Sequence, residues 1–204
     1  MPSSDATLWN RFLAGEEQAF EAIFQAHYRE LYGYGLRLTS DEELTKDCIQ
    51  NLFQRLWQRR QHLSAVEEIK PYLFKSMRHE VAAEIKAQQR RSLLESAYPV
   101  EFEIQYSPED FLIAQQLTAE QHTQLLAALG RLSNRQREAI YLKFFDGFDY
   151  ERISEIMGLN QQSIRNLVYQ GIKLLRQSLT LPLLVLLLSG QLATALRAML
   201  KISN

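Results

Sequence analysis

Apolar residues recur at helical spacing along most of the chain, and the clearest case is the segment 41–60. Its apolar side chains form two adjacent stripes, Leu44, Cys48, Leu52 and Leu56 in one and Ile49, Phe53 and Trp57 in the other. Together they cover roughly 200° of the helix, about twice the stripe of ~100° that one packing face requires. We therefore expect one edge of this helix to pack into its own domain while Phe53 and Trp57 stay available to a partner. Full burial inside a larger bundle is the other interpretation.

The segment from Leu132 to Arg176 has the cap and turn residues of a helix-turn-helix. Ser133 and Gln136 have the spacing of a capping box that opens one helix. The residues expected to cap and end the two following helices, 150–157 and about 161–177, are Asp149, Gly158 and Asn160. An ordinary helical bundle produces the same pattern, so the spacing alone does not decide between the two.

Polar residues open the last of these predicted helices: Gln161, Gln162, Ser163, Arg165 and Asn166. Such side chains hydrogen-bond base edges and phosphates. In a helix-turn-helix this helix normally enters the major groove of DNA. The pattern therefore favours DNA binding over a purely structural helix.

Composition indicates an all-α protein. The 204 residues include only 8 Gly and 5 Pro, and the length suits one large domain or two small ones. Cys48 is the sole cysteine, which excludes an intramolecular disulfide and indicates an inert core thiol. The first twenty residues lack the pattern of a signal peptide, so a cytoplasmic location is expected.

Charge divides the chain into three blocks although its net value is only −1. Residues 55–91 are basic, residues 92–130 contain no Lys or Arg, and residues 131–176 are basic in patches. Helical periodicity fails at 96–103, around Pro99. We therefore expect two small helical domains joined by an acidic extended linker, with the boundary near residues 92–108. A passive solvated connector is the alternative to an active role for this linker.

Four motifs in order carry a family resemblance. The run Asp47 to Trp57 resembles the D-x-[VI]-Q-x-x-F-x-x-[LI]-W signature of bacterial RNA polymerase sigma factors, in the extracytoplasmic-function (ECF) group of the sigma-70 superfamily. Ala14 to Phe20 resembles the family's G-[DE]-x-x-A-F opening, and Lys70 to Arg78 its P-[WY]-L-[YF]-x-[IS]-x-[RK] segment. The helix-turn-helix resembles the family's second conserved domain. The resemblance covers roughly residues 10–91 and 120–178.

The resemblance implies a transcription initiation factor with four segments. Residues 1–91 would be a sigma-2-like bundle, 92–119 the linker, 120–178 a sigma-4-like helix-turn-helix domain, and 179–204 an apolar extension. Core RNA polymerase would be bound, at a coiled coil of its largest subunit, by Asp47, Gln50, Asn51, Phe53, Gln54 and Trp57. The −10 promoter element would be recognised and melted by Tyr72, Lys75, Arg78, His79 and Lys86, with Phe74 either a further contact or part of the core. The −35 element would be recognised as duplex by Gln161, Gln162, Ser163, Arg165, Asn166, Tyr169 and Lys173.

The linker also has an implied role. In the family it threads through the polymerase cavity that otherwise holds template strand and nascent RNA. Its acidic residues here, Glu101, Glu103, Glu109 and Asp110, resemble a nucleic-acid backbone electrostatically.

Several residues depart from the family pattern on the expected DNA-facing helices. His79 and Ala83 stand where relatives usually carry Asn and Asp, and Glu80 and Glu84 add negative charge. Leu167, Gln170 and Ile172 stand where relatives often have Arg, and each lost phosphate contact weakens DNA affinity. The departures suggest weak autonomous promoter recognition that relies on a helper DNA-bound factor. Divergent promoter sequences, a degenerate sigma-like adaptor and another kind of helix-turn-helix regulator are the alternatives.

The C-terminal segment is intensely apolar from Leu181 to Leu188. This run is much shorter than the ~18 residues of a membrane span. We expect a helix that packs back on the protein or is captured by an anti-sigma protein or a helper factor. A peripheral membrane contact and a homodimer are the alternatives.

The sequence motifs do not indicate an enzyme. Gly33 and Gly35 form only an isolated GxG, and the histidines His27, His62, His79 and His122 have no ligand spacing. We therefore expect no catalytic activity, no metal, no cofactor and no small-molecule substrate.

Overall fold

The computed structural model describes residues 4–91 and 119–179, which form two helical units. All regular elements within these two ranges are helices, so the all-α prediction is confirmed. The predicted linker and the apolar extension beyond Leu179 lie outside the described residues. The exact domain boundaries therefore stay a prediction.

The first unit is built from four α-helices. They are α1 (Ser4–Leu13), α2 (Glu17–Thr39), α3 (Glu42–Arg59) and α4 (Ile69–Arg91), with a short 3-10 helix at Arg60–His62 after α3. Helix α2 packs against both α3 and α4, and α3 also packs against α4. The core between them contains the fully buried side chains Trp9, Tyr34, Leu73, Phe74 and Met77.

Glycine at position 35 permits the close approach of α2 to its two neighbours. A Cβ at Gly35 would collide with the Met77 side chain of α4 and would lie 3.0 Å from Thr45 Cγ2 of α3. Gly35 therefore has a packing role. This role explains the second glycine of the Gly33–Gly35 pair without a phosphate-binding loop.

The second unit is built from α5 (Ala119–Gly130), α6 (Asn134–Phe144), α7 (Tyr150–Met157) and α8 (Gln161–Ser178). Helix α8 packs against α5 and α6. Their shared core includes Leu129, Leu132, Ile140, Leu175 and Leu179.

The local signals that delimit α6, α7 and α8 are confirmed. Ser133 and Gln136 form a reciprocal capping box, with the Gln136 N–H donating to Ser133 Oγ at 3.3 Å and the Ser133 N–H donating to Gln136 Oε1 at 2.9 Å. Asp149 Oδ1 accepts from the Arg152 N–H at 2.8 Å. Gly158 ends α7 with φ of 65°, a left-handed conformation that favours glycine.

Cys48 is fully buried, and burial, with a smaller effect of the Glu80 charge, raises the pKa of its thiol to about 12. Within residues 4–91 and 119–179 there is no cluster of His, Cys, Asp and Glu suited to a metal ion. The same residues include no helix long and apolar enough to cross a bilayer.

Candidate functional site

An open groove of about 550 Å³ lies between α2 and α3. Helix α2 contributes Phe20, Phe24 and Tyr28 to its lining. Helix α3 contributes the apolar side chains Ile49, Phe53 and Trp57 and the polar side chains Lys46, Gln50 and Gln54. The groove thus combines an aromatic interior with polar residues along one helix.

Phe53 forms part of the buried wall of this groove. Its ring meets Phe24 edge-on at a centroid distance of 4.9 Å and Phe20 edge-on at 5.9 Å. Only 3 % of Phe53 is exposed. The expectation that Phe53 stays available to a partner is therefore wrong as regards its exposure, because two aromatic residues of α2 enclose the ring. Its role in polymerase binding stays a prediction.

Trp57 is half-buried at the edge of the groove. Its ring lies 5.1 Å from Phe20, and the Arg60 guanidinium stacks over it at 4.3 Å. Arg60 Nη1 also donates to the Trp57 carbonyl oxygen at 2.6 Å. These contacts hold the indole in place and leave part of it accessible.

The remaining predicted polymerase-binding residues lie on one face of α3. Asp47, Gln50 and Gln54 are exposed, and Asn51 is half-buried. Their spacing of three, four and seven residues puts them on neighbouring turns of the helix. The structure therefore brings the predicted polar residues together beside the groove.

The groove also contains residues that the sequence analysis missed. Phe20, Phe24 and Tyr28 follow each other at four-residue spacing along α2, and Lys46 lies on α3. The aromatic spacing was a detectable signal, since residues four apart share a helix face. The spacing did not indicate which helix these aromatic residues pack against.

Helix α4 presents a basic face formed by Lys75, His79 and Lys86, all exposed. Tyr72 begins the same face but is half-buried, with its ring 5.1 Å edge-on to Trp9, and burial raises the pKa of its phenol. Arg78 is half-buried and lies to one side, about 60° around the helix from Lys75. Four of the five residues predicted for the −10 element thus share one face.

Two neighbouring residues of α4 belong to the core. Phe74 is fully buried and stacks on Tyr34 at 4.9 Å, which decides for the core interpretation of this residue. Glu80 is buried as well, and its Oε2 is 2.7 Å from Arg55 Nη1. The expectation that Glu80 adds negative charge to the DNA-facing side is wrong, because the carboxylate turns inward to Arg55.

Helix α8 presents a continuous polar face. Its exposed residues include Gln162, Arg165, Asn166, Tyr169 and Lys173. From Gln162 to Lys173 this face extends roughly 16 Å at ~1.5 Å per residue. Tyr169 is 70 % exposed, which is unusual for so large a ring. A long exposed face of hydrogen-bonding side chains suits insertion into a DNA groove.

Contacts from the preceding turn orient the start of this helix. Asn160 Oδ1 accepts from the backbone N–H of Ser163 at 2.7 Å; the Ser163 residue is half-buried, and Gln161 is exposed beside it. The Arg165 guanidinium lies 5.6 Å from the centre of the Tyr150 ring of α7. Gln162 Nε2 donates to Asn166 Oδ1 at 3.2 Å.

The departures from the family pattern on α8 differ in position. Ile172 is half-buried and packs against the core of the second unit, and its interpretation as a lost phosphate contact stays a prediction. Leu167 is half-buried, whereas Gln170 is exposed on the polar face. On α4, Ala83 is exposed near His79. Ala83 and Gln170 are therefore the departures that alter an accessible surface most directly.

Sequence comparison matches both units to family models. Residues 23–91 match Sigma-70 region 2, and residues 122–175 match Sigma-70, region 4. Together the two matches cover more than half of the chain.

Similar proteins include two ECF RNA polymerase sigma factors. SigX of Bacillus subtilis is 20% identical over 169 residues, which are 81% of this chain and 86% of SigX. SigL of Mycobacterium tuberculosis is 23% identical over 168 residues, which are 81% of this chain and 92% of SigL. A probable RNA polymerase sigma factor of Xanthomonas campestris, RfaY, is 24% identical over 152 residues; the match covers 74% of this chain but only 38% of RfaY.

Two solved structures share the fold. CnrH, in complex with the cytosolic domain of CnrY, has a TM-score of 0.58 at 16% identity, covering 85% of this chain and 95% of that one. The sigma factor RpoE of Bartonella quintana, in complex with the anti-sigma factor NepR, has a TM-score of 0.55 at 22% identity, covering 78% and 96%. The chain belongs to the sigma-70 family of RNA polymerase sigma factors, in the ECF group, whose members act in transcription initiation.

Proposed function

We propose that this protein binds bacterial core RNA polymerase through the α2–α3 groove and directs it to promoter DNA through α4 and α8. The observation that carries the proposal is the juxtaposition of an open aromatic groove with the exposed residues Asp47, Gln50 and Gln54. Both features lie within the segment that matches Sigma-70 region 2. Such a protein acts in the cytoplasm, where core polymerase is found.

The groove suits a helical partner with an apolar face. Helices dock into hydrophobic grooves through side chains at i, i+3, i+4 and i+7, and aromatic residues commonly dominate the binding energy. A coiled coil of the largest polymerase subunit, the partner that the family resemblance implies, presents such helices. Trp57 and Phe20 would supply the apolar contact, and Gln50 and Gln54 the polar rim.

The exposed face of α4 suits an unpaired strand of the −10 element. Single-stranded nucleic acid is held by cationic side chains along the backbone and by aromatic faces that stack on bases. Lys75 and Lys86 supply the charge, and His79 supplies a hydrogen-bonding group between them. Tyr72 supplies the aromatic edge at the beginning of the face.

The exposed face of α8 suits the −35 element as duplex. Arg165, Asn166 and Gln162 carry the donors and acceptors that pair with base edges in the major groove. Lys173, about two turns further along the helix from Asn166, suits a phosphate contact.

A charge placed at the groove tests polymerase binding. Gln54→Arg adds a cation beside the aromatic interior, and we expect it to weaken binding to core polymerase at least tenfold, a change of about 1.4 kcal/mol. Gln25→Arg is the matched control, because Gln25 is equally exposed on α2 but lies on a different face from Phe20 and Phe24. Equal affinity of both variants and wild type for core polymerase would refute the proposed use of the groove.

The exposed departures at Ala83 and Gln170 support a finer proposal. We propose that promoter recognition by this protein is weak or unusual and relies on a helper DNA-bound factor. Run-off transcription with core polymerase on random-promoter DNA tests this. A strongly enriched consensus at both elements contradicts the helper factor, whereas polymerase binding without any transcription favours a sigma-like adaptor.

A further inference from the structure

We propose that the apolar segment 181–200 of this chain occupies the α2–α3 groove and competes with core polymerase for it. The proposal rests on the proposed function of the groove and adds a form of self-regulation to it. Its basis is a match between the spacing of leucines in the segment and the spacing of aromatic residues along the groove.

The aromatic side chains of α2 form a ridge at four-residue spacing. Phe24 and Tyr28 lie 5.2 Å apart between ring centroids, and Tyr28 and Tyr32 lie 6.2 Å apart and nearly parallel. Phe20 precedes them by one turn. The groove therefore runs beside a ridge of residues four apart, opposite Phe53 and Trp57 of α3.

The segment 181–200 carries the complementary pattern. Leucine occurs at every fourth position from 184 to 200: Leu184, Leu188, Leu192, Leu196 and Leu200. Pro182 stands where a helix is expected to begin. A ridge of residues four apart on one helix packs into the grooves beside the equivalent ridge of another helix, which is the commonest mode of helix packing.

Covalent attachment favours this occupant over a separate molecule. A tethered segment meets the groove at an effective concentration in the millimolar range. The two units are separated in sequence by residues 92–118, and an extended chain spans about 3.3 Å per residue, so chain length does not keep the segment from the groove. A large exposed apolar stretch is also unfavourable in water, which adds a driving force for docking.

Two pairs of substitutions in the full chain test the proposal. Leu184→Asp with Leu188→Asp puts carboxylates on the leucine series, and Ser189→Asp with Gln191→Asp is the matched control with the same added charge at polar positions. If the segment fills the groove in about nine chains of ten, its release raises the apparent affinity for core polymerase about tenfold. We expect this increase for the leucine pair and wild-type affinity for the control pair. A second pair, Leu192→Asp with Leu196→Asp, should raise the affinity in the same way.

Tryptophan quenching gives a measurement that does not involve polymerase. The chain has two tryptophans; Trp9 is fully buried and Trp57 lines the groove. Acrylamide should therefore quench more fluorescence in the leucine pair than in wild type or the control pair, because only Trp57 becomes accessible.

The possible outcomes distinguish failure of the proposed competition for the groove from failure of the proposed polymerase binding. Equal affinity and equal quenching in wild type and both leucine pairs overturn the proposal, while a loss of polymerase binding in Gln54→Arg still supports the proposed function. Protection of Trp57 that depends on protein concentration, with a dimer in sedimentation, overturns it in favour of a second copy. If none of the chains binds polymerase the proposed function fails, and competition for the groove fails with it.

Discussion

At the scale of single residues, the pair formed by Arg55 and Glu80 shows how burial changes the effect of a charged side chain on stability. Burial raises the pKa of the Glu80 carboxyl above its usual value, and the Arg55 guanidinium partly offsets this effect. The Arg55 side chain is itself 59% exposed, so water screens the attraction. The pair therefore limits the cost of burying Glu80 without being a large source of stability.

Removal of Arg55 should destabilise the first unit in a pH-dependent way. Because Arg55→Ala leaves ionised Glu80 buried without its partner, we expect a loss of about 1 kcal/mol in the free energy of unfolding near pH 8. A carboxyl whose pKa is raised on folding favours the folded state at low pH and loses that contribution as pH rises. The loss should therefore be smaller at an acidic pH, where Glu80 takes up its proton.

Denaturant unfolding at both pH values measures this difference. Arg59→Ala is the control, since Arg59 is an exposed arginine near the end of the same helix. A loss in Arg55→Ala that is equal at both pH values would contradict the inward role of Glu80.

At the scale of elements, the crossing of α6 and α8 depends on glycine at position 171. A Cβ at this position would lie 2.6 Å from Ile140 Cδ1. Alanine favours a helix over glycine by up to about 1 kcal/mol, but overpacking a core costs about 1 to 3 kcal/mol. The packing cost prevails because Ile140 is itself buried.

Gly171→Ala should therefore lower the stability of the second unit by about 1 kcal/mol. Ile140→Val removes the colliding methyl group, so the double variant should lose less stability than the sum of the two single changes. Thermal unfolding of the four proteins gives the coupling. Gly130→Ala is the control, because nothing lies within 4 Å of a Cβ there, and it should not destabilise.

The polar face of α8 makes separate predictions for charged and neutral residues. If Lys173 contacts a phosphate, Lys173→Ala should reduce the slope of log K against log salt by about 0.9 for duplex −35 DNA. Gln162→Ala should leave this slope unchanged and reduce discrimination between promoter sequences, because it alters a base-edge contact. Binding titrations over a range of salt concentrations on two DNA sequences separate the effects. An unchanged slope in Lys173→Ala would exclude the phosphate contact.

At the scale of the whole molecule, the alternation of basic, acidic and basic blocks carries the remaining prediction. Glu101, Glu103, Glu109 and Asp110 lie outside the described residues, so their proposed role depends on sequence alone. If they occupy the polymerase channel as a mimic of nucleic acid, their replacement by Lys should change the yield of abortive RNA. Run-off assays that resolve short transcripts measure it. Unchanged initiation would leave a passive connector.

Much of the fold was predictable because its signals are local. The capping box at Ser133 and Gln136 and the caps at Asp149 and Asn160 each satisfy backbone groups within three residues. Such bonds require no knowledge of distant parts of the chain. The predicted bounds 150–157 of α7 agree with the structure for the same reason.

The site was predictable only in part. The exposed positions of Gln50, Gln54 and Lys173 follow from the helical repeat, and the structure places them at the surface. The positions of Phe53 and Glu80 do not follow, because each also depends on a neighbouring helix. The contribution of Phe24 to the groove depends in the same way on which helix packs beside α2.

The amino-acid sequence by itself determined the all-α class, the ends of the helix-turn-helix and the faces on which polar residues gather. These depend on dihedral preferences, caps and a period of about 3.6 residues, all of which act over a few neighbours. Only the tertiary structure decided that Phe53 is enclosed, that Glu80 meets Arg55 and that Ile172 packs against the core. Burial of a side chain depends on which helices pack around it, and that packing brings together segments that are distant in the sequence.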